Sequence, residues 1–105
     1  MHGMTALHYA AKEGHFPIAQ LLVEQPSIEL NLVNTLDGMT ALHLAAANGH
    51  FPVVQLLIQQ PSIELNLVDT SGKTALDLAR ENEHADIVKL LEEYDLPTHK
   101  GAVKN

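Results

Sequence analysis

Histidine is the residue type in this sequence with the clearest capacity for chemistry. The 105-residue chain contains seven histidines, and an imidazole can ligate a metal ion or move a proton near neutral pH. His8 and His43 close two matching tetrapeptides, Thr5-Ala6-Leu7-His8 and Thr40-Ala41-Leu42-His43. Three further histidines recur at the same offset, at positions 15, 50 and 84. A metal or catalytic site is therefore the first hypothesis that this spacing raises.

The spacing does not favour such a site. His8 and His43 occupy equivalent positions in consecutive units, and packed helices lie about 8–10 Å apart, whereas zinc–nitrogen bonds are only about 2.0–2.1 Å long. The sequence has no His-Glu-x-x-His, since Glu81-Asn82-Glu83-His84 does not have that spacing. It also has no glycine-rich phosphate loop and no serine in a nucleophile-elbow context. We predict no catalytic residues, no metal site, no cofactor and no enzyme activity.

Net charge and composition narrow the class of partner. The chain has 13 acidic and six basic residues, for a net charge of −7, and such a chain repels phosphate backbones and anionic lipid surfaces. No apolar run approaches the roughly 18 residues that a membrane helix needs. The absence of cysteine excludes disulfides and thiolate ligands. We therefore expect one soluble globular domain that binds neither nucleic acid nor membrane.

The histidines belong to an internal repeat. A third tetrapeptide, Thr74-Ala75-Leu76-Asp77, follows the first two, and the starts lie 35 and then 34 residues apart. Residues 3–33 and 38–68 are identical at 24 of 31 positions. Identity this high, extending even into the connecting loop, indicates recent duplication or deliberate engineering.

Each unit is predicted to form two short helices and an extended return. In the middle unit Thr40 is a suitable N-cap for a helix over 41–48, Gly49 ends it, and Pro52 suits the first turn of a second helix over 52–59. Pro61 cannot continue that helix, and the alternating segment after it leads to a turn at Ser71-Gly72. Alone, the first unit would expose an apolar side that only stacking can bury, made of Leu7, Ala10, Ile18, Leu21 and Leu22. The predicted fold is all-α, a short α-solenoid.

These motifs resemble the ankyrin repeat. The resemblance rests on Thr-Ala-Leu-His-x-Ala-Ala, the following Gly-His, the Val-Val-x-Leu-Leu helix and Leu-Asn before an Asp-x-x-Gly turn. It covers residues 3–94, although Ala6, Ala41 and Ala75 stand where the family has proline, and the loops carry Pro26 and Pro61 where it has glycine. We divide the chain into a repeat domain over 1–94, with repeats at about 3–37, 38–71 and 72–94, and a frayed C-terminal tail over 95–105.

The resemblance also implies roles for the histidines and for the last repeat. His8 and His43 are expected to bond to the backbone and brace neighbouring repeats, and His15, His50 and His84 are expected to bond locally. The third repeat resembles a C-terminal cap with a polar outer face, formed by Asp77, Arg80, Glu83, Lys89, Glu92 and Glu93. The resemblance also favours an intracellular, cytoplasmic location.

In ankyrin-like stacks the hairpin tips and the exposed positions of the first helix line a concave binding face. The corresponding positions here are Met4, Lys12, Glu13, Thr35, Leu36, Met39, Ala47, Asn48, Thr70, Ser71, Lys73, Glu81 and Asn82. Leu36, Met39 and Met4 would form an apolar strip, and methionine suits adaptable binding surfaces. The alternative is that the two methionines merely cover the hairpin stems.

Two functions remain open. The first is a module that binds another protein, of unknown identity, on the tips and the concave face. The second is an assembly unit that self-associates into a homodimer, because the first repeat has no polar cap and would present Tyr9, Ile18, Leu21 and Leu22. Either upstream repeats or a second copy is expected to cover that side.

Overall fold

The computed structural model describes residues 3–95, which form three pairs of short helices. Within this range there are six helices and no strands, so the predicted all-α repeat fold is confirmed. None of these helices is long and apolar enough to cross a membrane. The helices are α1 (Ala6–Glu13), α2 (Phe16–Val23), α3 (Ala41–Ala47), α4 (Phe51–Ile58), α5 (Ala75–Glu81) and α6 (Ala85–Asp95).

The first helix of each pair begins at a threonine N-cap. The Thr40 hydroxyl accepts a hydrogen bond from the His43 backbone N–H at 3.2 Å, and the Thr40 N–H donates to His43 Nδ1 at 3.1 Å. The same reciprocal capping box occurs at Thr5 and Thr74. Because it satisfies two backbone donors at once, the tetrapeptide itself specifies where each helix starts.

The observed helix bounds differ by one residue from the prediction. Helix α3 ends at Ala47 because Asn48 has left the helical region, with its side-chain amide donating to the Leu44 carbonyl at 2.8 Å. Helix α4 begins at Phe51 and ends at Ile58. Its proline lies in the first turn, where the missing N–H costs nothing.

The helix pairs stack into two layers. Helices α1, α3 and α5 pack side by side in chain order, and α2, α4 and α6 form a second layer against them. The core lies between the layers, where Leu42, Val53, Leu57 and Ile87 are fully buried. Leu7 and Ala10 join this core, whereas Ile18 and Leu21 stay exposed, so stacking buries only part of the apolar side predicted for the first unit.

Turns between the pairs interlock along one edge. The buried Asn34 side chain accepts hydrogen bonds from the backbone N–H groups of Asp37 and Met39, both at 3.1 Å. In the next turn Asp69 serves the same purpose for Ser71 and Lys73. The Thr70 N–H donates to the Asp37 carbonyl at 3.0 Å and so ties one tip to the next.

The third pair carries the polar side chains predicted for a C-terminal cap. Arg80 on α5 donates to Glu92 on α6 at 2.7 Å, and both side chains are about half exposed. Helix α6 includes Asp95, which the sequence prediction placed in the tail. The rest of that tail, residues 96–105, lies outside the described residues.

Candidate functional site

The predicted contact residues at the hairpin tips lie at the surface. Thr35, Thr70 and Ser71 are exposed, and Leu36 is 64% exposed. Leu36 occupies the turn that has one residue more than its counterpart at Ser71, which accounts for the 35-residue spacing of the first two units. The tips therefore present small polar side chains and one protruding leucine.

The predicted apolar strip is reduced to that leucine. Met4 and Met39 are half-buried and pack against the hydrophobic core. The Met4 sulfur also accepts a hydrogen bond from the Asn34 amide at 3.4 Å. Of the two readings, the structure favours the one in which the methionines cover the hairpin stems.

The predicted contact positions of the first helices lie at the carboxyl ends of α1, α3 and α5. Lys12 and Glu13 on α1, Asn48 after α3, and Glu81 and Asn82 at the end of α5 are exposed, and Ala47 is half-buried. The Asn82 amide donates to the Leu78 carbonyl at 2.8 Å, as Asn48 does one repeat earlier. Each asparagine thus uses one amide N–H in this contact, which leaves its second amide N–H and its side-chain oxygen outside it.

An ion pair joins the last turn to the last of these helices. The Lys73 ammonium donates to the Glu81 carboxylate. This hydrogen bond is the largest cause that raises the pKa of Lys73 above its ordinary value. The pair lies at the surface, where solvent screens the attraction between the two charges, so its main effect is to orient two of the predicted contact residues.

His8 and His43 brace the stack from within, as the resemblance implied. Both are buried, and His43 Nε2 lies 3.0 Å from the Lys73 carbonyl of the next unit. His8 Nε2 lies 3.0 Å from Leu32 O and 3.1 Å from Met39 O. Since each Nδ1 accepts a threonine N–H, each Nε2 carries the proton and donates it. Both rings are neutral donors in this arrangement.

His50 and His84 correct the expectation of local bonding. His50 Nε2 lies 2.9 Å from the Lys12 carbonyl, and His84 Nε2 lies 3.0 Å from the Ala47 carbonyl, both in the preceding repeat. Sequence reasoning missed this second brace, although the recurrence of Gly-His at one offset was its signal. The imidazole of His15, at the first such position, makes no comparable hydrogen bond within residues 3–95.

Glycines provide the space for these imidazoles. A Cβ added to Gly14 would lie 2.5 Å from His50 Nδ1, and one added to Gly49 would lie 2.7 Å from His84 Cε1. The third repeat has Glu83 at this position, with a positive φ of 62°. The Glu83 side chain is tolerated because no imidazole of a following repeat packs against this turn within residues 3–95.

The first repeat presents an uncovered apolar face. Tyr9, Ile18 and Leu21 are 52%, 49% and 63% exposed. The residues equivalent to Ile18 in the second and third repeats, Val53 and Ile87, are completely buried by the preceding repeat. Leu22, predicted to belong to this face, is half-buried and packs on the core instead.

No cluster of three or more histidine, cysteine, aspartate or glutamate side chains within residues 3–95 is arranged to hold a metal ion. The braces account for the buried imidazoles. The conspicuous geometry of this part of the chain is thus a rigid stack with exposed tips and helix ends.

Comparison with protein families identifies the repeat. A family model described as "Ankyrin repeats (3 copies)" matches residues 26–100, and one described as "Ankyrin repeat" matches residues 2–35. No curated protein gives a significant match. Ankyrin repeats are generally protein–protein interaction modules and are typically non-enzymatic. With matches over most of its length and the helix-pair stack described above, this chain belongs to the ankyrin repeat family.

Proposed function

We propose that the chain is a protein-binding module that docks its partner on the hairpin tips and the exposed ends of the first helices. The observation that carries the proposal is the exposure of Thr35, Leu36 and Thr70 at the tips and of Glu13, Asn48 and Asn82 at the ends of the first helices. Leu36 provides an exposed apolar side chain, and Lys12, Asn48 and Glu81 provide exposed polar and charged groups. Such a mixture suits a specific protein contact better than a ligand pocket.

Bracing of the backbone supports this proposal. The carbonyls of Lys12 and Ala47, two of the predicted contact positions, each accept an imidazole N–H from the following repeat. The tip at Asp37 is tied to Thr70. A surface held in this way loses little conformational entropy when a partner binds, and preorganisation of this kind favours affinity.

Site-specific photocrosslinking tests the proposal. Because the chain contains no cysteine, Leu36→Cys and Asn48→Cys each provide a single attachment site for a benzophenone. The matched control is Gln55→Cys, since Gln55 is exposed on the second-helix layer. In an extract of the expressing cells we expect the same discrete adduct from both test sites, competed by excess unlabelled chain, and none from the control. Equal labelling at all three sites would refute the proposed face.

A second candidate function is self-association through the first repeat. The observation favouring it is the exposure of Tyr9, Ile18 and Leu21. The residues equivalent to Ile18 in the other two repeats, Val53 and Ile87, are buried. Pairing of two such faces about a two-fold axis would close the assembly. A head-to-tail contact is less suitable, because the other end carries Arg80 and Glu92.

Light scattering over a range of concentrations tests this second candidate. We expect a dimer at high micromolar concentration and a monomer for Ile18→Lys, because a charge would have to be buried in the contact. Gln55→Lys adds the same charge away from the face and should remain dimeric. A stable monomer of the natural chain at that concentration would exclude self-association and leave the partner-binding proposal intact.

A further inference from the structure

The end of α3 carries the only asparagine–glycine pair in the sequence. Asn48 precedes Gly49, whereas the other asparagines inside the chain precede leucine, threonine or glutamate. An asparagine loses its amide when the backbone nitrogen of the following residue attacks the side-chain carbonyl carbon. A following glycine leaves this approach open, because it has no Cβ and its backbone adopts many conformations. The pair therefore has the composition of a deamidation site, and its surroundings decide whether the reaction can occur.

The Asn48 side chain is free to reach the geometry that this reaction needs. Its amide donates to the Leu44 carbonyl at 2.8 Å, and the residue is exposed. Exposed side chains change rotamer on the picosecond to nanosecond timescale, so this contact opens and lets the carbonyl carbon turn towards Gly49. Because the residue lies at the surface, water also reaches it.

Asn82 has the same local structure one repeat later. Its φ and ψ are −95° and 6°, against −97° and 4° for Asn48. Its amide donates to the Leu78 carbonyl, also at 2.8 Å, and it is also exposed. The following residue, however, is Glu83. The two asparagines therefore differ in the residue that supplies the attacking nitrogen, and Asn82 is an internal control.

The attacking nitrogen is held less firmly after Asn48 than after Asn82. The Gly49 N–H donates to the Ala46 carbonyl at 3.4 Å, which is long for this type of hydrogen bond. The Glu83 N–H donates to the Arg80 carbonyl at 3.1 Å. A side chain also crowds an attack by the nitrogen of its own residue, and Gly49 has none. Both differences favour reaction at Asn48.

We propose that Asn48 is a deamidation site in the folded chain. Hydroxide removes the proton from the Gly49 nitrogen, which then attacks Cγ of Asn48 and forms a C–N bond. The bond between Cγ and Nδ2 breaks, and ammonia leaves after taking a proton from water. Water then opens the cyclic imide, giving aspartate when the new C–N bond breaks and isoaspartate when the original peptide bond breaks. Each product carries a carboxylate.

Either product changes the end of α3. The carboxylate has no hydrogen to donate to the Leu44 carbonyl, and it lies at the negative end of the helix dipole. Isoaspartate also inserts a methylene into the backbone between Ala47, whose carbonyl accepts the His84 N–H, and Gly49, against which that imidazole packs. Since Asn48 is a predicted contact residue, the new charge also alters the proposed binding face. This last effect rests on the proposed function, whereas the chemistry does not.

Peptide mapping of the natural chain in water labelled with heavy oxygen tests the proposal. The folded protein is incubated at mildly alkaline pH, and the peptides that contain Asn48 and Asn82 are compared by mass spectrometry. We expect aspartate and isoaspartate in place of Asn48, both carrying the heavy oxygen, while Asn82 stays intact. Equal conversion of the two asparagines would overturn the proposal. Conversion of Asn48 in urea but not in the folded chain would overturn it as well, because the fold would then protect the site.

Glu83→Gly introduces the same feature at the matched asparagine. Glu83 has a φ of 62°, a conformation that glycine adopts without strain, so the variant should fold at least as well as the natural chain. We expect Asn82 to deamidate in this variant at a rate close to that of Asn48. An intact Asn82 in the folded variant would overturn the role of the following glycine.

Asn48→Asp reproduces the charge of the product without altering the backbone. We expect its urea unfolding midpoint to fall below that of the natural chain, because the donor to the Leu44 carbonyl is lost. Gln55→Glu is the control, since it adds the same charge at an exposed position of α4. Equal midpoints for the two variants would overturn the effect on α3. These measurements need no partner, so failure of the proposed binding function would leave their outcome unchanged.

Discussion

At the scale of single residues, histidine serves as a connector between repeats. His43 accepts the Thr40 N–H at Nδ1 and donates from Nε2 to the Lys73 carbonyl, which belongs to the next unit. One side chain therefore caps its own helix and ties down the following turn. Its two ring nitrogens are both engaged with backbone groups, so this imidazole serves to hold the stack together.

Replacing His43 with alanine is expected to lower the free energy of unfolding by about 1–3 kcal/mol, the cost of losing a buried hydrogen bond and leaving its partner unsatisfied. Urea unfolding measures this change. His15→Ala is the matched control, because the His15 side chain is exposed and makes no hydrogen bond within residues 3–95, and this substitution should change the stability little. A chelator that lowered the melting temperature as much as the substitution would contradict the structural role.

Asp77 is expected to make the third repeat sensitive to acid. Its pKa is lowered, chiefly because the carboxylate accepts a hydrogen bond from the Thr74 backbone N–H. The Thr74 nitrogen lies 3.0 Å from Asp77 Oδ2. A lowered pKa in the folded state means that the stabilisation is complete above the unfolded value near pH 4 and is lost as the pH falls through the folded value. Asp77→Asn keeps an acceptor but cannot titrate there. Urea unfolding at about pH 6 and pH 3 should show a smaller loss for the variant than for the natural chain.

At the scale of the elements, the turn between paired helices is a contact between repeats as well as a connection. Gly49 has a φ of 78°, and the His84 imidazole packs against the space where a side chain would be. The left-handed backbone favours glycine here, and so does the close approach of the imidazole. Glu83 shows that only the second requirement is strict, since it adopts a positive φ where no described imidazole follows.

Gly49→Ala is expected to destabilise the protein more than Gly72→Ala does. Both glycines have a φ of 78°, so an alanine incurs at each the same left-handed penalty of about 1–2 kcal/mol. At Gly72 nothing lies within 4 Å of the added Cβ, whereas at Gly49 it would displace His84. The difference between the two free energies of unfolding measures the imidazole contact, and equal losses would contradict it.

At the scale of the whole molecule, a residue's importance depends on its place in the stack. Leu22, Leu57 and Leu91 are equivalent in sequence, yet Leu22 is half-buried whereas Leu57 and Leu91 are almost inaccessible. Within residues 3–95 no repeat covers the first one on the side where the other two are covered. Three units are also about the minimum for a stable stack, so the loss of one contact affects all of them.

Leu57→Ala is expected to cost about 2–5 kcal/mol, since it leaves a cavity between neighbours on both sides. Leu91→Ala should approach this value, because Leu91 is 4% exposed, and Leu22→Ala should cost least. Chemical denaturation of the three variants ranks them. Equal losses at all three positions would contradict the dependence on position in the stack.

Local features of the sequence determined the helix pairs of this protein. Threonine before each Ala-Leu, proline in the first turn of α2 and α4, and the 34–35-residue period were enough to predict the helices to within a residue at α3 and α4. Capping and proline effects act within one turn, so they can be evaluated from neighbours in the chain. The brace made by His43 followed from the family resemblance.

Only the tertiary structure decided which equivalent residues are exposed and where the second set of imidazoles binds. Ile18 and Val53 have equivalent sequence positions but opposite burial, and Met39 turned out to cover a hairpin stem. His50 bonds to Lys12, 38 residues away, because stacking brings a carbonyl of the preceding helix to its ring. Contacts between repeats depend on how close two helices pack and which neighbour is present. These quantities are set by the assembled stack, and no local sequence pattern determines them.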